Sequence, residues 1–202
     1  MTVGLNGVVS RRKHLVGAVA AVAAVATATA ALILTGSGED DEGATARAPD
    51  YEAALRGAPP KLAALHEQAN LLLGGGPEAF EGRLRELRGH PVVVNKWASW
   101  CGPCRAEFPF FQSQVASRGK RVAFLAVNSN DGEDSAREFL AELPVPYPSY
   151  VDPKLEIAAL FDAAVEFPAT AFYDSKGKLA YVRRGGYASE DELAADIERY
   201  AR

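Results

Sequence analysis

Residues 91–97 and 122–127 are two nearly unbroken apolar runs of strand length, rich in β-branched valine, and neither alternates with polar positions. A strand covered on both faces has no polar face to show, so these runs predict inner strands of a parallel sheet. Residues 101 to about 115 lie between them with the length and composition of a helix, which makes one strand-helix-strand unit. Upstream, 61–69 carry helical apolar spacing, and Leu71-Leu72-Leu73, ahead of the turn Gly74-Gly75-Gly76, fit either a helix or an edge strand. Residues 77–87 place Ala79, Phe80, Leu84 and Leu87 at helical intervals behind a proline at a permitted first-turn position. Further helices are predicted at 135–143 and 153–161, separated by the proline-rich 144–148. A hairpin follows, with strands at 169–173 and 179–183 around a turn at 174–178, and Ser189 caps a last helix through Tyr200. The sum is an α/β sandwich with a mixed sheet and no internal repeat.

The N-terminal region has a different pattern. Arg11-Arg12-Lys13 precedes an uncharged run from Leu15 to Gly38 that is rich in alanine and valine. A spanning helix needs about 20 apolar residues, which Leu15 to Thr35 supplies. A cleaved signal has a shorter apolar core before small residues, and Ala28-Thr29-Ala30 offers such a site. Either way, the basic residues hold the N-terminus in the cytoplasm and send the rest outside. Ser10-Arg11-Arg12 matches the start of a twin-arginine signal, but His14 and Leu15 do not continue it. After the run, the acidic Glu39-Asp40-Asp41-Glu42 lacks bulky apolar neighbours and reads as a solvated tether. The expected organisation is a cytoplasmic basic N-terminus (1–14), a transmembrane anchor or signal sequence (15–36), a flexible acidic linker (37–58) and one folded domain (59–202).

Composition narrows the function classes. With 48% apolar and 24% charged residues in 202, the chain is globular in character. Its net charge of -4 is mild, and no basic stretch after the N-terminal region marks a nucleic-acid partner.

The chemistry sits in Trp100-Cys101-Gly102-Pro103-Cys104, which holds the only two cysteines of the chain. Two cysteines make neither a disulfide-stapled scaffold nor a four-cysteine metal site, and His66 and His90 are too far apart in sequence to complete a zinc site. No metal or other cofactor is expected. A purely structural bridge closing so short a loop would stabilise weakly. At the hand-over from strand to helix, Cys101 falls at the helix N-terminus, where unpaired N–H groups and the dipole favour a thiolate. Cys101 is therefore the candidate nucleophile, and Cys104, one turn further in, is the candidate resolving thiol. Glu107, three residues beyond Cys104, shares its helix face and is a candidate proton acceptor, with a solvated surface glutamate as the alternative.

Residues 94–109, Val-Asn-Lys-Trp-Ala-Ser-Trp-Cys-Gly-Pro-Cys-Arg-Ala-Glu-Phe-Pro, resemble the active-site stretch of the thioredoxin superfamily and are closest to its TlpA/ResA branch. Phe167-Pro168-Ala169-Thr170 supports the resemblance, which runs from about Pro59 to the C-terminus. It implies a thioredoxin-like three-layer sandwich and a cis bond at Pro168 lying against the dithiol, where neighbouring backbone groups would pair with an extended peptide. It also implies that Trp100, Gly102, Pro103, Phe167 and Pro168 form the substrate-contacting surface, and that the glutamate matching Glu107 belongs to the site. Asn95 stands where thioredoxins proper carry a buried aspartate, and it cannot titrate. Lys96 stands where the family usually has an aromatic, and its charged end must reach water or a partner. Trp97 is read as core, and Pro109 as a helix interruption.

The resemblance further implies reduction of cysteine pairs in exported proteins, including apocytochromes c, with electrons from a membrane transporter of the DsbD/CcdA kind. A small change in potential would reverse that direction, so an oxidase introducing disulfides into secreted proteins is the alternative. A thiol peroxidase and a non-enzymatic docking or haem-chaperone module are the remaining classes.

Overall fold

Strand β2 (Val92–Trp97) runs through the middle of the sheet in the computed structural model, which describes residues 48–202. All six of its residues are buried, as an unalternating run requires. The described residues form a sheet in the order β1-β4-β3-β2-β5-β6, with β1 (Leu72–Leu73), β3 (Ala123–Ser129), β4 (Ser149–Asp152), β5 (Ala169–Tyr173) and β6 (Leu179–Arg184). Strands β1, β4, β3 and β2 pair in parallel, while β5 is antiparallel to β2 and β6 to β5. The predicted hairpin is present. Its turn is closed by Asp174, whose carboxylate accepts the Lys176 and Lys178 N–H groups at 2.9 Å, and by Gly177 at φ +80°, a conformation glycine adopts without steric cost.

Alternate side chains of each strand enter two separate apolar clusters, which makes the three-layer sandwich. Val93, Trp97, Phe124 and Phe172 face one cluster, with Phe108, Phe111 and Val115 of α4 (Gly102–Arg118), Phe139 of α5 (Glu133–Glu142) and Leu193 and Ile197 of α7 (Glu190–Tyr200). Val92, Val94, Leu125 and Ala171 face the other, with Leu62 and Leu65 of α2 (Pro60–His66), Phe80 and Leu84 of α3 (Gly76–Glu86) and Ile157 of α6 (Glu156–Ala159). Ser189 caps α7 by accepting the Glu192 N–H.

Several expectations are corrected. The proline-rich 144–148 leads into β4, which lies between β1 and β3. Its polar ends gave no strand signal because residues on other elements satisfy them: Ser149 accepts the Trp97 indole N–H, and Asp152 accepts the Ser129 hydroxyl and the Ile157 and Ala158 N–H groups. That carboxylate holds the start of α6, which is far shorter than the helix predicted at 153–161. Residues assigned to the linker form helix α1 (Tyr51–Leu55), capped by the Asp50 side chain, and Tyr51 packs on the first cluster. Helix α4 runs beyond the predicted residue 115 to Arg118 and holds Pro109 inside it, where the proline has no N–H for the Arg105 carbonyl. Leu72–Leu73 resolves as an edge strand. The predicted cytoplasmic segment, the span at 15–36 and the linker up to residue 47 lie outside the described residues. Among the described residues, no helix is long and apolar enough to cross a membrane.

Gly119, the residue after α4, leaves no room for a side chain, since a Cβ would lie 2.6 Å from both Leu55 Cδ2 and the Val115 carbonyl oxygen. Gly119→Ala is expected to destabilise the fold by about 1–3 kcal/mol, as overpacking does, although its φ of -63° suits alanine. Urea unfolding checks this, and an unchanged or raised midpoint would count against it.

Candidate active site

Strand β2 ends at Trp97, a three-residue loop turns the chain, and Cys101 becomes the N-cap of α4. The backbone N–H of Cys104 donates to Cys101 Sγ at 3.1 Å. The two cysteines are joined as a disulfide with Cα atoms 5.2 Å apart. Cys101 is 4% exposed and Cys104 fully buried, while Gly102 and Pro103 between them face solvent. A thiolate on Cys101 would keep that N–H partner and face the positive end of a 17-residue helix, both of which favour its charged form.

Two aromatics stand at the rim. Trp100 is 56% exposed, and its ring centroid lies 4.8 Å from that of Phe167. Phe167 packs against the apolar cluster that contains both cysteines. The Phe167–Pro168 peptide bond is cis. Pro168 and Glu107 approach a common point, because a Cβ added to Gly186 would lie 3.5 Å from both Pro168 Cγ and Glu107 Oε2.

Sequence reading missed what holds Trp100. Its indole N–H donates to the Asn130 carbonyl at 2.9 Å, and Asp131 accepts from the Ser99 N–H, the Ser99 hydroxyl, the Asn128 amide and the Gly132 N–H at 2.6–2.9 Å. One carboxylate thus ties the loop before the dithiol to the loop after β3. The Asn130-Asp131-Gly132 turn signal was the available cue.

Glu107 is fully buried, which removes the surface-glutamate alternative. Its Oε2 accepts the Tyr187 N–H at 3.1 Å, and its Oε1 has no partner among the described residues. Burial pushes its carboxyl up to about 8, against the Tyr187 N–H and the Arg183 charge, which favour ionisation. Asn95 is buried opposite Thr170 in the β2–β5 ladder. Its amide and the Thr170 hydroxyl find no partner among the described residues.

Lys96 reaches neither water nor a side-chain acid. It is 0% exposed, and its ammonium donates to the carbonyls of Ala163 (2.7 Å), Ala164 (3.1 Å) and Glu166 (2.8 Å). Its Nζ also sits 3.5 Å from the Phe167 ring centroid. Burial lowers its pKa to about 8, against the pull of Glu166 and Asp152.

The model of the AhpC/TSA family matches residues 77–182. The thiol-disulfide oxidoreductase ResA of Bacillus subtilis is 28% identical over 103 residues, covering 50% of this chain and 57% of ResA. The chain thus spans less than two thirds of that relative. The thiol:disulfide interchange protein HelX of Rhodobacter capsulatus is 33% identical over 127 residues, covering 62% of this chain and 68% of HelX. The structure of DsbF of MTB in its mixed oxidized and reduced forms superposes with a TM-score of 0.53 at 32% identity, covering 57% of this chain and 84% of DsbF.

Glu107 makes stability depend on pH. In the unfolded chain it ionises near the ordinary 4.5, and in the folded protein only near 8. The folded state therefore binds more protons across that window, and stability falls as pH rises through it. Glu107→Gln is expected to remove a part on the order of 5 kcal/mol from that decline. Urea unfolding of both proteins in their oxidised forms across the window measures it. Parallel curves would place the titration elsewhere.

Proposed function

We propose that this chain, which belongs to the AhpC/TSA family of thioredoxin-like proteins, is an extracytoplasmic thiol-disulfide oxidoreductase that reduces cysteine pairs of exported proteins. The observation that carries this is the Cys101–Cys104 pair at the head of α4, with an amide N–H aimed at Cys101 Sγ and two aromatics beside it.

In the forward cycle the Cys101 thiolate attacks a substrate disulfide, forms a mixed disulfide and releases one substrate thiolate. Cys104 then loses its proton and attacks Cys101, which releases the second substrate thiolate and leaves the Cys101–Cys104 disulfide. Two electrons pass from the dithiol to the substrate. Glu107 accepts the Cys104 proton, a task suited to a carboxyl held near 8, close to a thiol's own pKa. Trp100, Gly102, Pro103, Phe167 and Pro168 form the surface on which an extended substrate segment lies. A membrane transporter of the DsbD/CcdA kind returns the dithiol to its reduced form.

The location follows from Arg11-Arg12-Lys13 ahead of the apolar run at 15–36, which favours a single-pass anchor with the catalytic domain outside, or secretion after cleavage. Resemblance of Gly102-Pro103 to reducing thioredoxins favours reduction, and the resemblance to the TlpA/ResA branch implies apocytochromes c among the exported clients. Disulfide introduction is the second direction, distinguished by potential. A thiol peroxidase is not favoured, since Cys101 lies outside that chemistry's threonine-containing signature.

Cys101→Ser is expected to lower insulin-disulfide reduction by roughly a thousandfold or more, as removal of a nucleophile does. Cys104→Ser is expected to accumulate mixed disulfides on Cys101 with exported proteins in the native host. A potential as high as about -120 mV would assign the oxidising direction instead. Undiminished insulin reduction by Cys101→Ser would exclude the dithiol as the working centre.

A further inference from the structure

We infer that Lys96 is a positioning residue for the protein substrate, whose ammonium holds residues 163–166 so that Phe167 stands beside Trp100 before any substrate arrives. This rests on the thiol-disulfide exchange proposed above. Residues 163–166 form neither helix nor strand. Among the described residues, no backbone N–H reaches the carbonyls of Ala163, Ala164 or Glu166. Their partner is the Lys96 ammonium, whose three hydrogens match three acceptors at 2.7–3.1 Å.

A second cation works on the outer side of the segment. Arg184 donates to the Asp162 carbonyl at 2.7 Å and lies 3.6 Å from the Glu166 carboxylate. Beyond the Ala163 N–H, which donates to the Ala158 carbonyl at 3.1 Å, the segment is held by two cations rather than by a backbone ladder. It ends at Phe167, whose ring lies against Lys96 Nζ on one contact and Trp100 on another.

Packing alone does not call for this lysine. The neighbouring inward residues of the same sheet face are Val92 and Val94, and an apolar side chain would fill the space without burying a charge. What an apolar side chain lacks is a donor for three buried or half-buried carbonyls. The Lys96 ammonium makes its contacts with the carbonyls of Ala163, Ala164 and Glu166 and with the Phe167 ring, so its effect falls on the docking edge. A substrate whose cysteine is flanked by an extended peptide with an apolar side chain uses that edge. A small disulfide reaches Cys101 without it.

The test compares the reduced full-length chain with its Lys96→Met variant, which keeps the aliphatic stem and loses the donors. Native insulin serves as the protein disulfide, with excess dithiothreitol returning the chain to its dithiol after each turnover, and dithionitrobenzoate, reacted with the pre-reduced chain in a single turnover, serves as the small one. The expected result is a KM for insulin raised about tenfold or more, on the scale that misplaced binding groups cost. The kcat for insulin and the rate with the small disulfide should each change by less than about threefold. If Lys96→Met does not fold, Lys96→Arg, which retains the cation but misplaces its donors, is expected to give the same split. An unchanged KM for insulin overturns the inference. So does an equal loss with both disulfides accompanied by a raised Cys101 thiol pKa, which would make Lys96 an electrostatic aid to the thiolate. A wild-type chain inert toward both disulfides would defeat the exchange chemistry itself, whereas an active wild type with unaffected variants would defeat Lys96 alone.

Discussion

Helix α4 begins with backbone N–H groups that no carbonyl of its own can satisfy, and Cys101 Sγ accepts one of them. That need ties the reactive sulfur to the helix end. The position of the helix end is fixed in turn by β2, which is buried on both faces and cannot slide without exposing valines or burying its neighbours wrongly. Phe108, Phe111 and Val115 then anchor the rest of α4 on the sheet. The sulfur's placement is a consequence of core packing, and the site inherits the rigidity of the core.

The core was legible because burial writes itself into composition. The runs at 91–97 and 122–127 do not alternate with polar positions, for the same reason that β2 and β3 lack exposed residues. The dithiol was legible because two cysteines at that spacing, ahead of a helix, admit few chemistries. What stayed hidden depends on partners distant in the chain. Ser149 and Asp152 look like loop residues until Trp97 and Ser129 claim them. Asp131 announces a turn, within Asn130-Asp131-Gly132, but not which loop it ties, since Ser99 lies 32 residues away. Lys96 looks like an error in a strand until the carbonyls of 163–166 come into view. Glu107 was ambiguous because helical spacing fixes its face but not how deeply the backbone at Gly186 and Tyr187 buries it.

Two buried ionisable groups flank the dithiol region from opposite faces of the sheet. Glu107 comes from the helix packed on one face, and Lys96 from β2 toward the other. Burial displaces both toward about 8 from opposite ends of the scale. On the acid side of that value the pair presents a neutral acid and a cation, and on the basic side a carboxylate and a neutral amine. One rise in pH thus removes positive charge and adds negative charge around the same strand, where the low dielectric of the interior screens neither well.

The lysine-bound segment has a consequence for how such an edge can change over generations. The carbonyls of Ala163, Ala164 and Glu166 meet no backbone N–H of the described residues, so they are closed only in the presence of residue 96. Neither half is portable: a loop moved to a scaffold with an aromatic at that strand position would arrive with open carbonyls, and the lysine moved alone would arrive with a charge and nothing to hold. The strand position and the loop are one heritable unit, and chains that differ at the first should differ at the second.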